Sequence, residues 1–146
     1  MASTDTLLTL NADEEAVVAL LDDCGGLLLR EETDPAAYWL QLRSVSAPQE
    51  AFYVRLGWTQ YPDAAPSIRF HSSVGGRFDL RSAWPVIPGY RVDSWDICKP
   101  FSAEGYAVHP EWTQGVHGWS ASGNPFLFVV ETLQSDLDHR YGGRHQ

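Results

Sequence analysis

Hydrophobic and polar residues alternate along several short segments in the first half of the chain, and this pattern predicts strands. A period of two is typical of a strand with one buried face and one solvent-facing side. Each segment is bounded by residues that favour turns, as expected where consecutive strands fold back on one another. We therefore predict a four-stranded antiparallel meander, with strands at residues 27–30, 38–43, 51–58 and 67–71.

Proline, aspartate and small residues mark the connections between these strands. Thr33-Asp34-Pro35 separates the first two segments, and Ala47-Pro48-Gln49 separates the second from the third. The last connection, Tyr61–Pro66, contains two prolines and reads Tyr-Pro-Asp-Ala-Ala-Pro. Proline presets the backbone for turns and lacks the N–H that a central strand needs, so these three places are predicted turns.

A helix is predicted before the sheet, over residues 12–24. Asn11–Glu14 has the residue types of an N-terminal capping box, and Gly25-Gly26 follows as a helix end. Apolar residues then recur with helical spacing, which places Cys24 on the stripe that faces the core. The stripe consists of Val17, Leu20, Leu21 and Cys24.

A second helix is predicted near the end of the chain. Asn124 is a suitable N-cap, and Pro125 suits the first helical position. The helix is expected to run to about Tyr141, with Gly142-Gly143 as its C-cap. Its apolar stripe consists of Phe126, Val129, Val130, Leu133 and Leu137.

These elements predict one α+β domain over residues 1–146. Its 44% hydrophobic residues are enough to fill a single core. Residues 1–10 are expected to be flexible, and residues 142–146 to form a frayed tail. Residues 73–123 contain four of the six tryptophans but no sustained periodicity, so they are expected to form a long functional loop region.

The charge of the chain restricts its partners. A net charge of -9 and a pI of about 4.8 oppose binding to a phosphate backbone, so nucleic acid is not expected as a partner. The first residues lack the pattern of a signal peptide, and no apolar run approaches a membrane span, so we expect a cytoplasmic location without membrane binding. The two cysteines, Cys24 and Cys98, are too few for a disulfide framework.

The order of these features resembles the ubiquitin-conjugating enzyme (UBC-like) fold and its RWD-like relatives, particularly divergent bacterial members. In that family the meander closes with a Tyr-Pro-x-x-Pro-Pro turn, to which Tyr61–Pro66 corresponds with Ala65 in place of one proline. Phe70 matches an aromatic position of the fourth strand, and Ile97-Cys98-Lys99 matches the tripeptide that holds the catalytic cysteine. A tryptophan after the cysteine also belongs to the pattern, and either Trp112 or Trp119 corresponds to it.

The resemblance implies that Cys98 carries a ubiquitin-like modifier as a thioester and transfers it to an amine. The partners would then be a ubiquitin-like protein and its activating enzyme, and no cofactor is expected. The family's His-Pro-Asn motif before the cysteine is absent, and Arg91–Asp96 stands in its place. A non-catalytic UBC-like or RWD-like adaptor, which binds a protein partner, therefore remains the alternative.

Four neighbours of Cys98 are candidates for supporting roles in catalysis. Lys99 is the only lysine of the chain, and a cation next to a thiol favours the thiolate. Asp93 and Asp96 can accept a proton from the incoming amine or orient it, although a carboxylate near Cys98 also opposes thiolate formation. His109 is a candidate donor to the oxyanion of the tetrahedral intermediate, and Ser94 and the backbone N–H groups of the loop are the alternatives.

A third hypothesis is that the chain is a small zinc-binding protein whose site is centred on His109. His71, His109 and His117 supply the nitrogen ligands that zinc favours, and Glu111 adds an oxygen. Their spacing matches no compact motif, so the hypothesis requires the fold to bring the rings together.

Overall fold

The computed structural model of the protein describes residues 3–146 and has an α+β architecture, as the sequence predicts. An N-terminal helix precedes a four-stranded antiparallel sheet, and a C-terminal helix ends the fold. The helices are α1 (Thr4–Cys24), α2 (Ala103–Val108) and α3 (Pro125–His139). The strands are β1 (Leu27–Arg30), β2 (Ala37–Ser44), β3 (Ala47–Gly57), β4 (Ser67–His71), β5 (Tyr90–Arg91) and β6 (Asp96–Ile97).

The main sheet is a meander in the order β1-β2-β3-β4, as predicted. Alternate residues of its strands form an inner face that helices α1 and α3 cover. This face is almost fully inaccessible and consists of Tyr38, Leu40, Leu42, Phe52, Val54, Leu56, Ile68 and Phe70. The opposite face is more polar, but Trp39 is only 4% exposed there because the edge of its ring packs against His71.

One predicted turn is wrong. The β2–β3 hairpin turns at Val45-Ser46, so residues 47–49 lie within β3. The Val45 N–H donates to the Asp138 carboxylate at 2.8 Å, which fixes the turn against α3. Pro48 is tolerated because it lies in the bulge of β3 between Ala47 and Ala51, where the register shifts and residues 48–50 are not paired with β2.

Helix α1 begins eight residues before its predicted start at residue 12. Ser3 is its N-cap, and the Ser3 hydroxyl accepts a hydrogen bond from the Thr6 N–H at 3.2 Å. The predicted flexible segment 1–10 is therefore helical from Thr4 onward, while Met1 and Ala2 lie outside the described residues. The predicted capping box at Asn11–Glu14 is wrong, since these residues occupy the middle of the helix.

Acidic residues on the inner side of α1 explain the misplaced start. Asp13 and Glu14 lie between the buried residues Leu10 and Val17 and interrupt the apolar stripe. Their carboxylates accept hydrogen bonds from tyrosine hydroxyls beneath the helix. The prediction that Cys24 lies in the core is also wrong, because α1 ends at this residue and its thiol is exposed in an open pocket beside Val45 and Asp138.

Helix α3 matches its prediction at the start and on its buried face. The Asn124 side chain accepts a hydrogen bond from the Leu127 N–H at 2.9 Å, and Pro125 is the first helical residue. The predicted stripe is fully buried, but the helix ends at His139 and its C-cap is Arg140 rather than glycine.

The predicted frayed tail is paired to the rest of the fold. The Gly142 N–H donates to the Val86 carbonyl at 2.8 Å, and the Val86 N–H donates to the Gly143 carbonyl at 2.7 Å. Arg144 extends this pairing through a backbone bridge with Pro85, and its guanidinium stacks over the Phe52 ring at 4.1 Å from the ring centroid. The last residues of the chain therefore pack against the irregular segment that contains Val86.

Residues 73–123 are largely irregular, yet they contain the β5–β6 hairpin, α2 and two short 3-10 helices. Their aromatic residues extend the core beyond the sheet: Phe70 contacts Trp84 at 5.3 Å and Tyr90 at 5.8 Å between ring centroids. The segment thus covers the part of the sheet near β4. Over residues 3–146, no helix is both long and apolar enough to cross a membrane.

Candidate functional site

Cys98 follows the β5–β6 hairpin at the rim of the fold. It is a free, half-exposed cysteine, and its backbone N–H donates to the Gly89 carbonyl at 2.8 Å. Ile97 before it and Phe101 after it are both buried in the core. We call residues 98–102 the Cys98 loop. Its two anchored ends hold the thiol at the surface between buried neighbours.

Helix α2 fixes the far end of the Cys98 loop. The Ser102 hydroxyl donates to the Ile97 carbonyl at 2.5 Å and accepts from the Gly105 N–H at 2.9 Å, so it caps the helix and ties it to β6. Gly105 packs directly against the loop, since an added Cβ would lie 2.1 Å from the Lys99 carbonyl oxygen. The local conformation therefore depends on a residue without a side chain.

Asp96 is held in an ion pair within the hairpin. Both of its oxygens accept from Arg91, each at 2.8 Å, and the Ser94 hydroxyl also donates to it. Burial raises the pKa of Asp96, but the hydrogen bonds from Arg91 and Ser94 outweigh this effect and hold its pKa below the usual value. Asp96 is therefore an ionised structural partner of Arg91, while Asp93 lies exposed in the turn between the strands.

Arg91 is a cation near Cys98 that the sequence analysis did not single out. Its hydrogen bond to Asp96 is the main cause of its raised pKa, and a charge on Cys98 would raise the pKa further. The signal in the sequence was the opposite charge of Arg91 and Asp96 at the two ends of a short turn. Lys99 also adjoins the thiol, and its aliphatic chain lies against Gly89.

His109 lies beyond α2 and contacts a different set of residues. Its ring stacks on Trp112 at 4.3 Å, and its Nδ1 lies 2.9 Å from the Glu111 carboxylate. His71 packs instead against the outer face of the sheet, and its Nδ1 lies 2.8 Å from the Gly76 carbonyl oxygen. In the described part of the chain, no three His, Cys, Asp or Glu side chains form a group that could hold a metal ion.

A cleft of about 420 Å³ adjoins the Cys98 loop, and we call it the Pro100 cleft. The Tyr106 hydroxyl lies 3.0 Å from the Pro100 carbonyl oxygen and 2.5 Å from that of His117, so it joins two walls of the cleft. Phe128, on the apolar side of the cleft, is 50% exposed. The lining residues are Pro100, Val116, His117, Gly118, Trp119, Ser120, Ser122, Asn124, Pro125 and Phe128.

Polar groups of the cleft are partly engaged in the fold. The Asn124 amide donates to the Asp13 carbonyl at 3.0 Å and caps α3, while the Trp119 indole donates to the Pro62 carbonyl at 2.9 Å. Ser120 and Ser122 contact one another at 2.7 Å and are exposed. The cleft therefore offers an apolar wall with hydroxyl groups at its mouth.

The structure brings four of the five predicted catalytic residues into one segment. Cys98, Lys99, Asp96 and Asp93 share the hairpin and its exit, as their sequence positions require. His109 is separated from them by α2 and is committed to Trp112 and Glu111. No protein-family model matches the chain, and no curated protein is significantly similar to it.

Proposed function

We propose that this protein is a divergent UBC-like protein that carries a ubiquitin-like modifier as a thioester on Cys98. The observation that carries the proposal is a half-exposed thiol in a fixed loop that leads directly into an apolar cleft. The α+β order of helix, meander, cysteine-bearing segment and helix is also the order that the family resemblance implies.

The proposed reaction has two steps. The Cys98 thiolate attacks the acyl carbon of a modifier thioester on the activating enzyme, and the thiolate of that enzyme leaves. An amine then attacks the new thioester, loses a proton to solvent or to a nearby base, and releases the Cys98 thiolate. Arg91 and Lys99 are the cations next to Cys98, and they would interact favourably with the negative charge that develops in both steps.

The Pro100 cleft is the proposed binding site for the extended tail of the modifier. Trp119 and Phe128 supply apolar contact, and the Ser120 and Ser122 hydroxyls can bond the polar backbone of a peptide. Pro100 belongs both to the Cys98 loop and to the cleft wall, so a chain lying in the cleft would end near the thiol.

A non-catalytic adaptor is the second candidate function, and the engaged polar groups favour it. Asp96 is bound by Arg91 and Ser94, and the Asn124 amide is bound within the fold. Neither group is thus free to act as a base or as an oxyanion donor. As an adaptor, the protein would bind a partner through the apolar cleft without forming a bond to Cys98.

The two functions differ in whether a covalent adduct forms. The purified protein would be incubated with an activating enzyme, ATP and a ubiquitin-like protein, and then analysed by electrophoresis with and without a thiol reductant. The enzyme proposal predicts a reductant-sensitive adduct that Cys98→Ser replaces with a weaker, reductant-resistant oxyester or loses entirely. Cys24→Ser is the matched control and retains the adduct.

A second measurement covers the case in which no adduct forms. Binding of the same ubiquitin-like protein would be followed by NMR, with Phe128→Ala as the variant. Loss of binding in Phe128→Ala, without any adduct in the wild type, would support the adaptor. An adduct that survives in Cys98→Ser as a reducible bond would contradict the enzyme proposal.

A further inference from the structure

Two arginines stand directly opposite each other on the outer face of the sheet. Arg55 of β3 pairs with Arg69 of β4 in the antiparallel register, and both side chains leave the face that points away from the core. Like charges at directly opposite positions destabilise a sheet. The pair therefore carries an electrostatic cost that an anion between the side chains would remove.

The protein itself compensates this pair only in part. Arg55 Nε donates to the Glu31 carboxylate at 2.7 Å, and Arg69 Nε donates to the Trp95 carbonyl at 3.1 Å. The Arg69 guanidinium also lies over the Phe78 ring at 4.8 Å. Within residues 3–146, the terminal guanidinium nitrogens of both arginines make no hydrogen bond and remain able to donate.

The same two side chains line a depression of about 210 Å³, which we call the arginine pocket. Its other lining residues are Ser67, His71 and Phe78. Next to Arg55, Gly57 leaves space: an added Cβ would lie 3.2 Å from Arg55 Nη1. The base of the pocket is rigid, because every lining residue except Phe78 lies on β3 or β4.

The charges around the pocket favour an anion at its His71 end. The Ser67 hydroxyl donates to the Glu104 carboxylate at 2.6 Å, so a negative group already occupies the Ser67 end. At the His71 end, the two guanidinium groups lie near the Glu31 carboxylate, and Arg69 also interacts with the charge of Asp96. His71 Nδ1 must carry the proton that bonds the Gly76 carbonyl, which leaves Nε2 available to a ligand.

We propose that the arginine pocket binds a tetrahedral oxyanion of the phosphate or sulfate class, held by the terminal guanidinium nitrogens of Arg55 and Arg69. Planar guanidinium groups match the oxygens of such anions and form charge-assisted hydrogen bonds. The net charge of -9 opposes anion binding over the protein as a whole, so recognition depends on these local donors. The site is independent of Cys98 and its chemistry.

The pKa of His71 provides a second way to detect a bound anion. Burial lowers the pKa of His71, and the charges of Arg55 and Arg69 lower it further, whereas Glu31 acts in the opposite direction. A bound dianion would raise the pKa of His71, because the opposite charge favours the imidazolium form. By linkage, binding of sulfate, which stays doubly charged, becomes stronger as the pH falls through this pKa.

The test is an NMR titration of the ¹⁵N-labelled protein with sodium sulfate, in which sodium chloride keeps the ionic strength constant. The proposal predicts saturable shifts at the Arg55 and Arg69 Nε–H groups and an upward shift of the His71 pKa. Arg69→Gln should weaken binding about tenfold, as expected for the loss of one charged donor. Scattered or non-saturating shifts would overturn the proposal.

Two further variants separate binding from folding. Arg69→Lys keeps the charge without the planar fork and should bind sulfate more weakly than wild type but more tightly than Arg69→Gln. Arg43→Gln is the matched control, since Arg43 lies on the same face of the sheet outside the pocket, and it should leave the affinity unchanged. Equal affinities for wild type and Arg69→Gln would contradict the site.

The source of the anion is distinguished by a second ligand. Titrations with inorganic phosphate and with N-acetyl phosphoserine amide would be compared under the same conditions. Tighter binding of the phosphoserine derivative assigns the site to a phosphorylated protein partner, and equal binding assigns it to free phosphate. If neither of these ligands nor sulfate binds, the proposed anion site is contradicted.

Discussion

Gly105 is the residue on which the shape of the Cys98 loop depends most directly. An added Cβ would lie 2.1 Å from the Lys99 carbonyl oxygen, and because this oxygen belongs to the backbone, no rotamer change can relieve the contact. We expect Gly105→Ala to lower the free energy of unfolding by about 1–3 kcal/mol, measured by urea denaturation. Gly57→Ala is the control, because only the end of the Arg55 side chain lies near it. Equal stability of wild type and Gly105→Ala would contradict this packing.

Asp96 makes the stability of the hairpin dependent on pH. Its folded-state pKa is held below the usual value, so the ionised carboxylate stabilises the fold above the unfolded-state pKa. This contribution is lost as the pH falls through the folded-state pKa. We therefore expect the stability difference between wild type and Asp96→Asn to shrink between about pH 5 and pH 2, as measured by urea denaturation. Asp93→Asn, in the exposed turn, should show no comparable difference at any pH.

At the scale of single residues, the sequence identified Cys98 and its neighbours but not their partners. Lys99 was visible as the adjacent cation, whereas Arg91 becomes relevant only because the hairpin pairs it with Asp96. Cys24 fits the spacing of the apolar stripe of α1, yet it is the last residue of the helix and its thiol is exposed. Residue spacing indicates which face of a helix a side chain occupies, but not whether another element covers that face at the helix end.

Tyr61 joins three elements through its hydroxyl group. The hydroxyl donates to the Asp13 carboxylate of α1 and accepts from the Phe126 N–H at the start of α3 at 3.2 Å. Tyr61→Phe would remove the hydroxyl that bonds the Asp13 carboxylate and the Phe126 N–H, at a site that is largely shielded from water. We expect a loss of about 1–3 kcal/mol in the free energy of unfolding.

The control for this prediction is Tyr53→Phe on the outer face of the sheet. Its hydroxyl accepts only a long bond from Gln41 at 3.4 Å, so the change should stay within about 0.5 kcal/mol. Thermal or urea unfolding of both variants gives the comparison. A Tyr61→Phe effect as small as that of Tyr53→Phe would show that the three elements are joined by apolar packing alone.

At the scale of elements, periodicity predicted the strands and α3 but not the start of α1. Strands β1 and β4 match their predicted bounds, and the buried stripe of α3 is the one that its spacing indicates. In α1, Asp13 and Glu14 occupy inner positions because Tyr61 and Tyr38 supply hydroxyl donors to them. Those partners lie far away in the sequence, so a local pattern could not distinguish an interior acidic pair from a capping box.

Arg144 holds the end of the chain against the rest of the molecule. Its guanidinium donates to the carbonyls of Ser82 at 2.7 Å and Ala51 at 2.9 Å, and it stacks over Phe52. We expect Arg144→Ala to lower the free energy of unfolding by about 1–2 kcal/mol in urea. Arg77→Ala is the control and should change it much less, because the exposed Arg77 side chain pairs with Asp79 two residues away. Similar effects of the two variants would argue against a role of the tail in stability.

At the scale of the whole molecule, the sequence predicted the order of the elements but not how residues 73–123 pack. The sequence predicts a frayed tail because Gly142 and Gly143 indicate a helix end, yet the backbone of these two residues pairs with Val86. Such pairing leaves no periodic signal, since backbone groups of any residue can form it. The Pro100 cleft likewise joins residues from the Cys98 loop, the following irregular segment and α3, which only the fold brings together.

The proposed function depends on a reachable and reactive thiol at Cys98, and Cys24 provides an internal comparison. Cys24 is the more exposed of the two, but burial, Asp138 and Asp23 raise its pKa and reduce its thiolate fraction. Cys98 has Arg91 and Lys99 beside it instead. The most direct measurement is the rate of iodoacetamide labelling at each cysteine of the folded protein near neutral pH, resolved by peptide mass spectrometry. We expect faster labelling at Cys98 than at Cys24, whereas a Cys98 that stays unlabelled or reacts more slowly would rule out a reactive thiol at this position.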